Sequence, residues 1–378
     1  MATSQKDPVL VVVQLTGGND YLNTVIPYQD PNYYDNRQTL HFPEEQVHKL
    51  DDQLAFNPSM GPMKEIFDRG DMAVVHGVGW ENATRSHFRA MDIWHTAEPD
   101  KVGTEGWLGQ AIRELDPEGA NPVTAVNVGY GLPRALVAPN VSVASVADLS
   151  TYGLLTAIEQ KQQRDQMLQR FASMYAPAIG SGPVMDYLGQ TGLDALKGAD
   201  MLRTAPDGYS SGVEYASNPL ADKLKDVSKI LLAGLGARVF YTEHGGFDTH
   251  AAQGSNHPQL WSQVSSAVAD FWDDLHEHDA ADNVMMFIFS EFGRRVKENG
   301  SGTDHGAAGV SFAIGPQVAG GMYSFYPETR AEALKDGDLA PNLDFRGLYT
   351  TVLEDWMGVD ATPIVNGRFE KPAFIATV

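Results

Sequence analysis

The sequence has 378 residues and contains no cysteine. Disulfide bonds, thiolate metal sites and cysteine nucleophiles are therefore all excluded. No apolar run approaches the roughly 20 residues of a membrane span, and the first ten residues show no charged-then-apolar leader. We expect a soluble chain without a membrane span. The compartment stays open, since export followed by removal of a leader remains an alternative.

Basic residues are also scarce, with 27 Lys and Arg against 49 Asp and Glu and a formal net charge of -22. A nucleic-acid partner is excluded because binding to phosphates needs clustered Lys and Arg. The hydrophobic fraction of 43% is that of a globular protein with an ample core.

Apolar runs alternate with segments of helical periodicity along most of the chain. Residues 9–15, 72–78 and 284–289 predict strands buried on both faces, and the repeat of apolar residues over 260–275 predicts a crossover helix. This pattern indicates an α/β fold with a mostly parallel central sheet in one domain over residues 1–378. Residues 147–219 are more polar, and we expect them to form a mostly helical insertion or cap.

Acidic and imidazole side chains follow the predicted strands or lie in a glycine-rich loop beyond them. Because ligands bind outside the carboxyl ends of strands in open α/β sheets, these groups are expected to meet at one edge. Carboxylate oxygens combined with imidazole nitrogens suit Zn, Mn or a similar divalent cation. For Asp20, the alternative to a metal ligand is a helix cap in a tight turn. The predicted metal ligands are Asp20, Asp248, His250, Glu291, Asp304 and His305.

A candidate nucleophile lies at a predicted helix start after the strand 72–78. Ser86 or Thr84 could attack there, because a helix N-terminus stabilises a developing oxyanion, although either could simply cap the helix. Arg85 could hold a phosphate or sulfate oxygen. Arg294 is expected to face the site, while Arg295 faces solvent or a carboxylate.

Five motifs carry a resemblance to a known family: GGNDYLNTVIPY, TRSHF, GGFDTH, SEFGRR and GTDHG. With them the chain resembles the DUF1501 family, a bacterial group related to the alkaline phosphatase and sulfatase superfamily. The resemblance implies a three-layer α/β/α sandwich, an Asp ligand after the first strand and a hydroxyl nucleophile at a helix start. Those features match Asp20 and either Ser86 or Thr84. The later ligands that it implies match Asp248, His250, Glu291, Asp304 and His305.

The function expected from these observations is metal-dependent hydrolysis of small phosphate or sulfate esters. Zn, Mn, Mg and Ca all stay open as the cation, and the absence of cysteine excludes the formylglycine nucleophile of common sulfatases. Two alternatives remain at this stage. One is a metal-dependent enzyme of another reaction class on the same scaffold, and the other is a non-catalytic binding protein that a metal stabilises. The sequence leaves the oligomeric state open.

Overall fold

The computed structural model describes residues 6–149 and 197–376, together with positions 152, 163, 166, 167, 169, 170, 173, 192, 194 and 195. It confirms the α/β class and a large, mostly parallel central sheet. The strands of that sheet are β1 (Val9–Leu15), β5 (Met72–Gly79), β6 (Ala125–Val128), β7 (Ala144–Val146), β8 (Val239–His244), β9 (Val284–Ser290), β10 (Gly309–Ile314), β11 (Gly321–Tyr323) and β12 (Leu343–Asp344).

The strands lie in the order β11-β5-β10-β9-β1-β8-β6-β7, and β12 pairs with β5 beyond the end of β11. β1 is parallel to both of its neighbours, β8 and β9. Only β10 runs antiparallel among the described strands of this sheet, since it pairs antiparallel with both β5 and β9. The glycine-rich loop that the sequence predicts around Asp304 and His305 includes Gly309, and this part of the prediction was wrong because Gly309 begins β10. The carboxyl ends of β1, β5, β8 and β9 all lie at one edge.

Helices cover both faces of the sheet, as a three-layer arrangement requires. The α-helices whose two ends are both described are α1 (Pro31–Asn36), α2 (Gly61–Arg69), α3 (His87–Thr96), α4 (Trp107–Leu115), α5 (Pro219–Leu232), α6 (Gln253–Glu277), α7 (Phe345–Thr350) and α8 (Thr362–Val365), and α7 continues as a π-helix over Thr351–Met357. Alternate residues of β1 enter two separate cores. Val11 packs in the core that α2, α5 and α6 complete, and Val12 packs in the core that α3, α4 and α7 complete. Because both faces of β1 are buried in this way, its sequence is a continuous apolar run.

The segment between β1 and α2 contains α1 and a small antiparallel sheet. This sheet has the order β2-β4-β3, formed by β2 (Val25–Ile26), β3 (His48–Lys49) and β4 (Ala55–Phe56). Arg37 follows α1 and is fully buried. The segment therefore brings a buried cation close to the end of β1.

Much of the predicted insertion at 147–219 lies outside the described residues. In its described part, positions 197–203 are helical and Ala205–Gly208 forms a 3₁₀ turn. None of the helices in the described ranges is both long enough and apolar enough to cross a membrane.

Candidate metal centre

The turn after β1 packs directly against the loop after β8. This contact brings together two of the segments that carry predicted metal ligands. Gly17 has a φ of 122°, and a Cβ on it would clash with the backbone nitrogen of Asp248. A residue with a side chain would therefore be strained and would push the two segments apart. Glycine at this position lets the carboxyl ends of adjacent strands meet closely.

Oδ1 of Asp248 is the focus of the cluster, since four side-chain nitrogens lie around it. Nη2 of Arg294 is 2.7 Å away, and the Nε2 atoms of His305 and His250 are 3.0 Å and 3.1 Å away. Nε2 of His87 lies 3.4 Å from the same oxygen. Nε2 of His250 is also only 2.9 Å from Nε2 of His305. Three imidazoles thus direct the same ring nitrogen to one carboxylate oxygen.

The other ring nitrogen of each imidazole is held by an oxygen atom. Nδ1 of His87 lies 2.8 Å from Oε1 of Glu291, and Nδ1 of His250 lies 3.2 Å from Oδ1 of Asp304. Nδ1 of His305 lies 2.8 Å from the carbonyl oxygen of Arg85. Metal-binding histidines usually donate their second N–H to a carboxylate or a carbonyl, which fixes the tautomer and the ring orientation.

These residues fit a divalent cation by their geometry and by their chemistry. A tetrahedral cation with bonds of about 2.0–2.1 Å holds neighbouring ligand atoms about 3.3 Å apart, which is close to the separations in the cluster. Nε2 of His87 is itself buried, and no hydrogen-bond partner for it is found in the part of the chain that the structure describes. A buried polar atom without a partner is costly, and a cation would satisfy it. His87, Asp248 and His305 form a group with ligand atoms within 4.8 Å of one another.

The surrounding charges set the protonation of the cluster. Partial burial alone would raise the pKa of Asp248, but the hydrogen bonds from Arg294 and His305 outweigh it and lower this pKa well below its usual range. The hydrogen bond to Glu291 raises the pKa of His87 against the effect of burial. Asp248 is therefore an ionised carboxylate at neutral pH and is suited to a cation.

Arg294 reaches the cluster, but its donors are already engaged. Its side chain is fully buried, and Nε donates to the carbonyl of Gly18 at 2.7 Å while Nη1 donates to that of Thr303 at 2.8 Å. Nη2 faces the carbonyls of Gly17 and Phe247 as well as Asp248. The guanidinium thus ties three segments of the site together and fixes Asp248.

Asp20 follows β1 as predicted, but its carboxylate faces a buried guanidinium. Oδ2 and Oδ1 accept from Nη1 and Nη2 of Arg37 at 2.5 Å and 3.0 Å, and both side chains are fully buried. The amide nitrogen of Gln253 donates to the same carboxylate. Burial would raise the pKa of Asp20, yet the charge of Arg37 lowers it overall. The charge of Asp20 is thus already compensated within the protein.

Glu291 lies behind the imidazoles and is almost fully buried. Its Oε1 accepts from the backbone nitrogen of Gly17 at 2.9 Å and contacts His87. Asp304, in contrast, is exposed and contacts His250 and Asn299. In this geometry both carboxylates orient imidazoles of the cluster.

The candidate nucleophiles differ in their contacts. Ser86 is the N-cap of α3, is exposed and makes no capping side-chain hydrogen bond to the described chain. Thr84 is half-buried, and its Oγ1 accepts from the backbone nitrogen of Ser86 at 3.2 Å. Of the two hydroxyl groups, that of Ser86 is therefore the freer.

Two arginines at the rim of the cluster share one carboxylate. Arg85 contacts Oδ2 of Asp338 at 2.7 Å, and Arg295 lies 3.5 Å from Oδ1 of the same residue. Asp338 is almost fully buried. Nη2 of each arginine also donates to the backbone carbonyl of Asp336, whose carboxylate adds a second negative charge beside this rim.

Sequence reasoning missed His87. The motif TRSHF was considered for a hydroxyl nucleophile and for an arginine that binds an anion, whereas its histidine faces Asp248 from the first residue of α3. The available signal was a histidine directly after a predicted helix start that follows a buried strand.

A second group of acidic side chains lies near the C-terminal end of α6, where its carboxylates accept hydrogen bonds from hydroxyl groups. Asp274 accepts from the hydroxyl of Tyr215 at 2.7 Å, and Glu277 accepts from Ser211 at 2.7 Å. His278 contacts two carbonyl oxygens. These contacts attach the segment 209–215 to the end of the helix.

A family model described as a protein of unknown function, DUF1501, matches residues 7–368. The chain belongs to the DUF1501 family. No protein with a curated description matches this member of the family.

Several solved structures are similar to this DUF1501 protein at low sequence identity. A protein in the alkaline phosphatase superfamily from Vibrio parahaemolyticus is 8% identical, with a TM-score of 0.43, and the match covers 96% of this chain and 70% of that one. The PsFucS1 sulfatase from Pseudoalteromonas sp. is 12% identical, with a TM-score of 0.42 and coverage of 97% and 70%. The C-terminal periplasmic domain of EcEptC from Escherichia coli, in complex with Zn, is 10% identical, with a TM-score of 0.37 and coverage of 82% and 74%.

Proposed function

We propose that this DUF1501 protein is a metal-dependent hydrolase of phosphate or sulfate esters, and that His87, Asp248 and His305 hold its divalent cation while His250 lies beside them. The observation that carries the proposal is the arrangement of the three imidazoles. Each has Nδ1 within 3.2 Å of an oxygen atom and Nε2 within 3.4 Å of Oδ1 of Asp248. When bound, a divalent cation polarises an ester oxygen and stabilises the negative charge that develops on it.

The outer face of the cluster is open, which suits a site that admits a substrate. The side chains of Asp248, His250 and Asp304 are 48%, 44% and 54% exposed. A purely structural metal site is normally closed by protein ligands, whereas a catalytic site keeps a position open. The exposure of Asp248 and of the residues beside it supports catalysis over a solely structural role.

Ser86 is our candidate nucleophile. It directly precedes the ligand His87 and lies at the N-terminus of α3, where backbone N–H groups and the helix dipole favour negative charge. The hydroxyl oxygen of Ser86 would attack the phosphorus or sulfur atom of the ester, and the hydroxyl proton would pass to the departing oxygen, so that the alcohol leaves. Water would then cleave the ester formed on Ser86, which releases phosphate or sulfate and restores the hydroxyl.

An anionic substrate is supported by the arginine rim beside the cluster. The carbonyl of Arg85 contacts Nδ1 of His305, so its side chain starts next to the imidazoles. Arg85 and Arg295 can offer N–H groups to the oxygens of a tetrahedral anion, because a guanidinium matches that geometry.

The test is hydrolysis of an aryl phosphate and an aryl sulfate by the purified full chain. Activity on one of the two esters should disappear on chelation, return on addition of a divalent cation and be absent from His305→Ala. A metal-loaded protein that hydrolyses neither ester would contradict the proposed reaction. Chelation that unfolds an inactive protein would instead favour the non-catalytic, metal-stabilised alternative.

A further inference from the structure

A buried glutamine connects the two loops that carry most of the candidate ligands. These are the first ligand loop, residues 248–250, and the second ligand loop, residues 303–305. Gln253 begins α6 and is fully buried. Its Oε1 accepts from the hydroxyl of Thr249 at 3.1 Å and from that of Thr303 at 2.6 Å. One oxygen atom therefore holds a residue of each loop.

The buried ion pair fixes the orientation of this amide. Nε2 of Gln253 donates to Oδ2 of Asp20, which Arg37 also contacts. An ionised carboxylate only accepts hydrogen bonds, so the NH₂ group must face Asp20 and the carbonyl oxygen must face the two hydroxyl groups. Arg37 balances the charge of Asp20 and keeps it a stable acceptor for the amide.

The backbones of the two ligand loops already touch at this point. The backbone nitrogen of Thr303 donates to the carbonyl of Thr249 at 3.1 Å, and that of Gln253 donates to the carbonyl of Ser301 at 2.9 Å. A Cβ on Gly302 would clash with the backbone of Thr249 and His250. These backbone contacts define the spacing between the two ligand loops, and Gln253 adds a side-chain contact to each loop.

We propose that Gln253 is a positioning residue that sets the spacing of the two ligand loops, and that Asp20 acts on the cation site through Gln253. The inference rests on the cation site of the proposed function. The two threonines that Gln253 contacts are next to the candidate ligands in the sequence. Thr249 lies between Asp248 and His250, and Thr303 directly precedes Asp304 and His305. Residues that orient metal ligands typically change metal affinity by roughly 10- to 100-fold when they are replaced.

The experiment measures the affinity of the full chain for Co²⁺ and Zn²⁺ by competition with a chromophoric chelator, together with the visible spectrum of the Co²⁺ form. Gln253→Ala removes both threonine contacts. Ser265→Ala is the matched control, because Ser265 lies on the same helix, is buried and accepts from the backbone nitrogen of Met63 at 3.0 Å. Thermal unfolding of the metal-free proteins reports the stability lost in each variant.

We expect Gln253→Ala to weaken Co²⁺ binding by roughly 10- to 100-fold and to change the Co²⁺ spectrum. Ser265→Ala should lower the unfolding temperature while affinity and spectrum stay those of the wild type. If Gln253→Ala does not fold, two variants of Thr303 test the positioning role of Gln253 instead. Thr303→Val, which keeps the side-chain shape without the hydroxyl, should weaken binding, and Thr303→Ser should restore it.

Unchanged Co²⁺ affinity in Gln253→Ala, or in Thr303→Val where the first variant does not fold, would overturn the inference. A wild-type protein that binds neither cation would overturn both the inference and the cation site on which it rests. Cation binding without hydrolysis of any ester would overturn only the proposed reaction, and the affinities of the variants would still decide the role of Gln253.

Discussion

Glu291 and His87 form a carboxylate–imidazole pair, with Oε1 of Glu291 lying 2.8 Å from Nδ1 of His87. The pair links the end of β9 to the start of α3 and directs Nε2 of His87 towards Asp248. Glu291 is a buried acid that the sequence predicts as a metal ligand, and it contacts the cluster through His87. In the proposed cation site, the role of Glu291 is to orient His87 and to make its imidazole a better electron-pair donor.

Replacing Glu291 with Gln should weaken cation binding by roughly 10- to 100-fold, because an amide orients the imidazole without a negative charge. Chelator competition measures the affinity. Glu354→Gln is a suitable control, since Glu354 is paired with Lys371 in the surface bridge after α7. Equal affinities for the Glu291 variant and the wild type would refute the orienting role.

Arg294→Lys and Arg295→Lys should differ strongly in stability. Arg294 is fully buried, and a lysine cannot satisfy all the carbonyls that its guanidinium contacts, so we expect a loss of about 2–4 kcal/mol in the free energy of unfolding. Arg295 is 35% exposed, and its replacement should cost less than about 1 kcal/mol. Denaturant unfolding of both variants checks this difference. Equal, mild losses would show that the buried guanidinium does not hold the site together.

Ser86→Ala should abolish ester hydrolysis and leave cation binding intact. We expect kcat/KM to fall by roughly a thousandfold or more, as for the loss of a nucleophile activated by its surroundings. Thr84→Val removes the hydroxyl that caps the backbone nitrogen of Ser86 and should have a smaller effect. If Thr84→Val were the inactive variant and Ser86→Ala retained full activity, the assignment of the nucleophile would be reversed.

Acidification should destabilise the fold through its buried histidines. Burial lowers the pKa of His76, His95 and His257 from 6.5 to about 4 in the folded protein. The unfolded chain therefore binds protons first, so the stability that these neutral imidazoles contribute is complete above pH 6.5 and is lost as the pH falls towards 4. Each could contribute up to roughly 3 kcal/mol to this loss.

His95→Gln should flatten the decrease in unfolding free energy between pH 6.5 and pH 4, measured by denaturant titration at several pH values. His95 is buried against Gln14 and Tyr241, so the change removes one group that titrates in this window. His276→Gln, on the exposed side of α6, is the control. Identical slopes for His95→Gln and the wild type would contradict this origin of the pH dependence.

The main strands and helices could be predicted because each carries a strong local signal. Residues 9–15 and 284–289 are continuous apolar runs, as central strands covered on both faces require. β10 was missed because its first residue, Gly309, follows several glycines and gives no strand signal of its own. Its antiparallel direction depends on pairing with β5 and β9, which no local pattern reveals.

The candidate ligands could be predicted where they follow a recognisable strand or, like Asp304 and His305, lie in the glycine-rich loop. Asp248 and Glu291 were found in this way, whereas His87 was overlooked because its neighbour Ser86 suggested a nucleophile. The partner of Asp20 could not be foreseen, since Arg37 comes from a segment without clear periodicity. Its pairing with Asp20 follows from tertiary packing, not from spacing along the chain.

The most direct test of the central claim is elemental analysis of the natively purified protein and of two variants, His87→Ala and His305→Ala. The proposed cation site predicts one divalent cation per chain in the wild type, because the cluster around Asp248 is the single focus of the three imidazoles in the described structure. It predicts strongly reduced metal content in each variant while far-ultraviolet circular dichroism shows a folded protein. A wild type without metal, or undiminished metal in both folded variants, would contradict it.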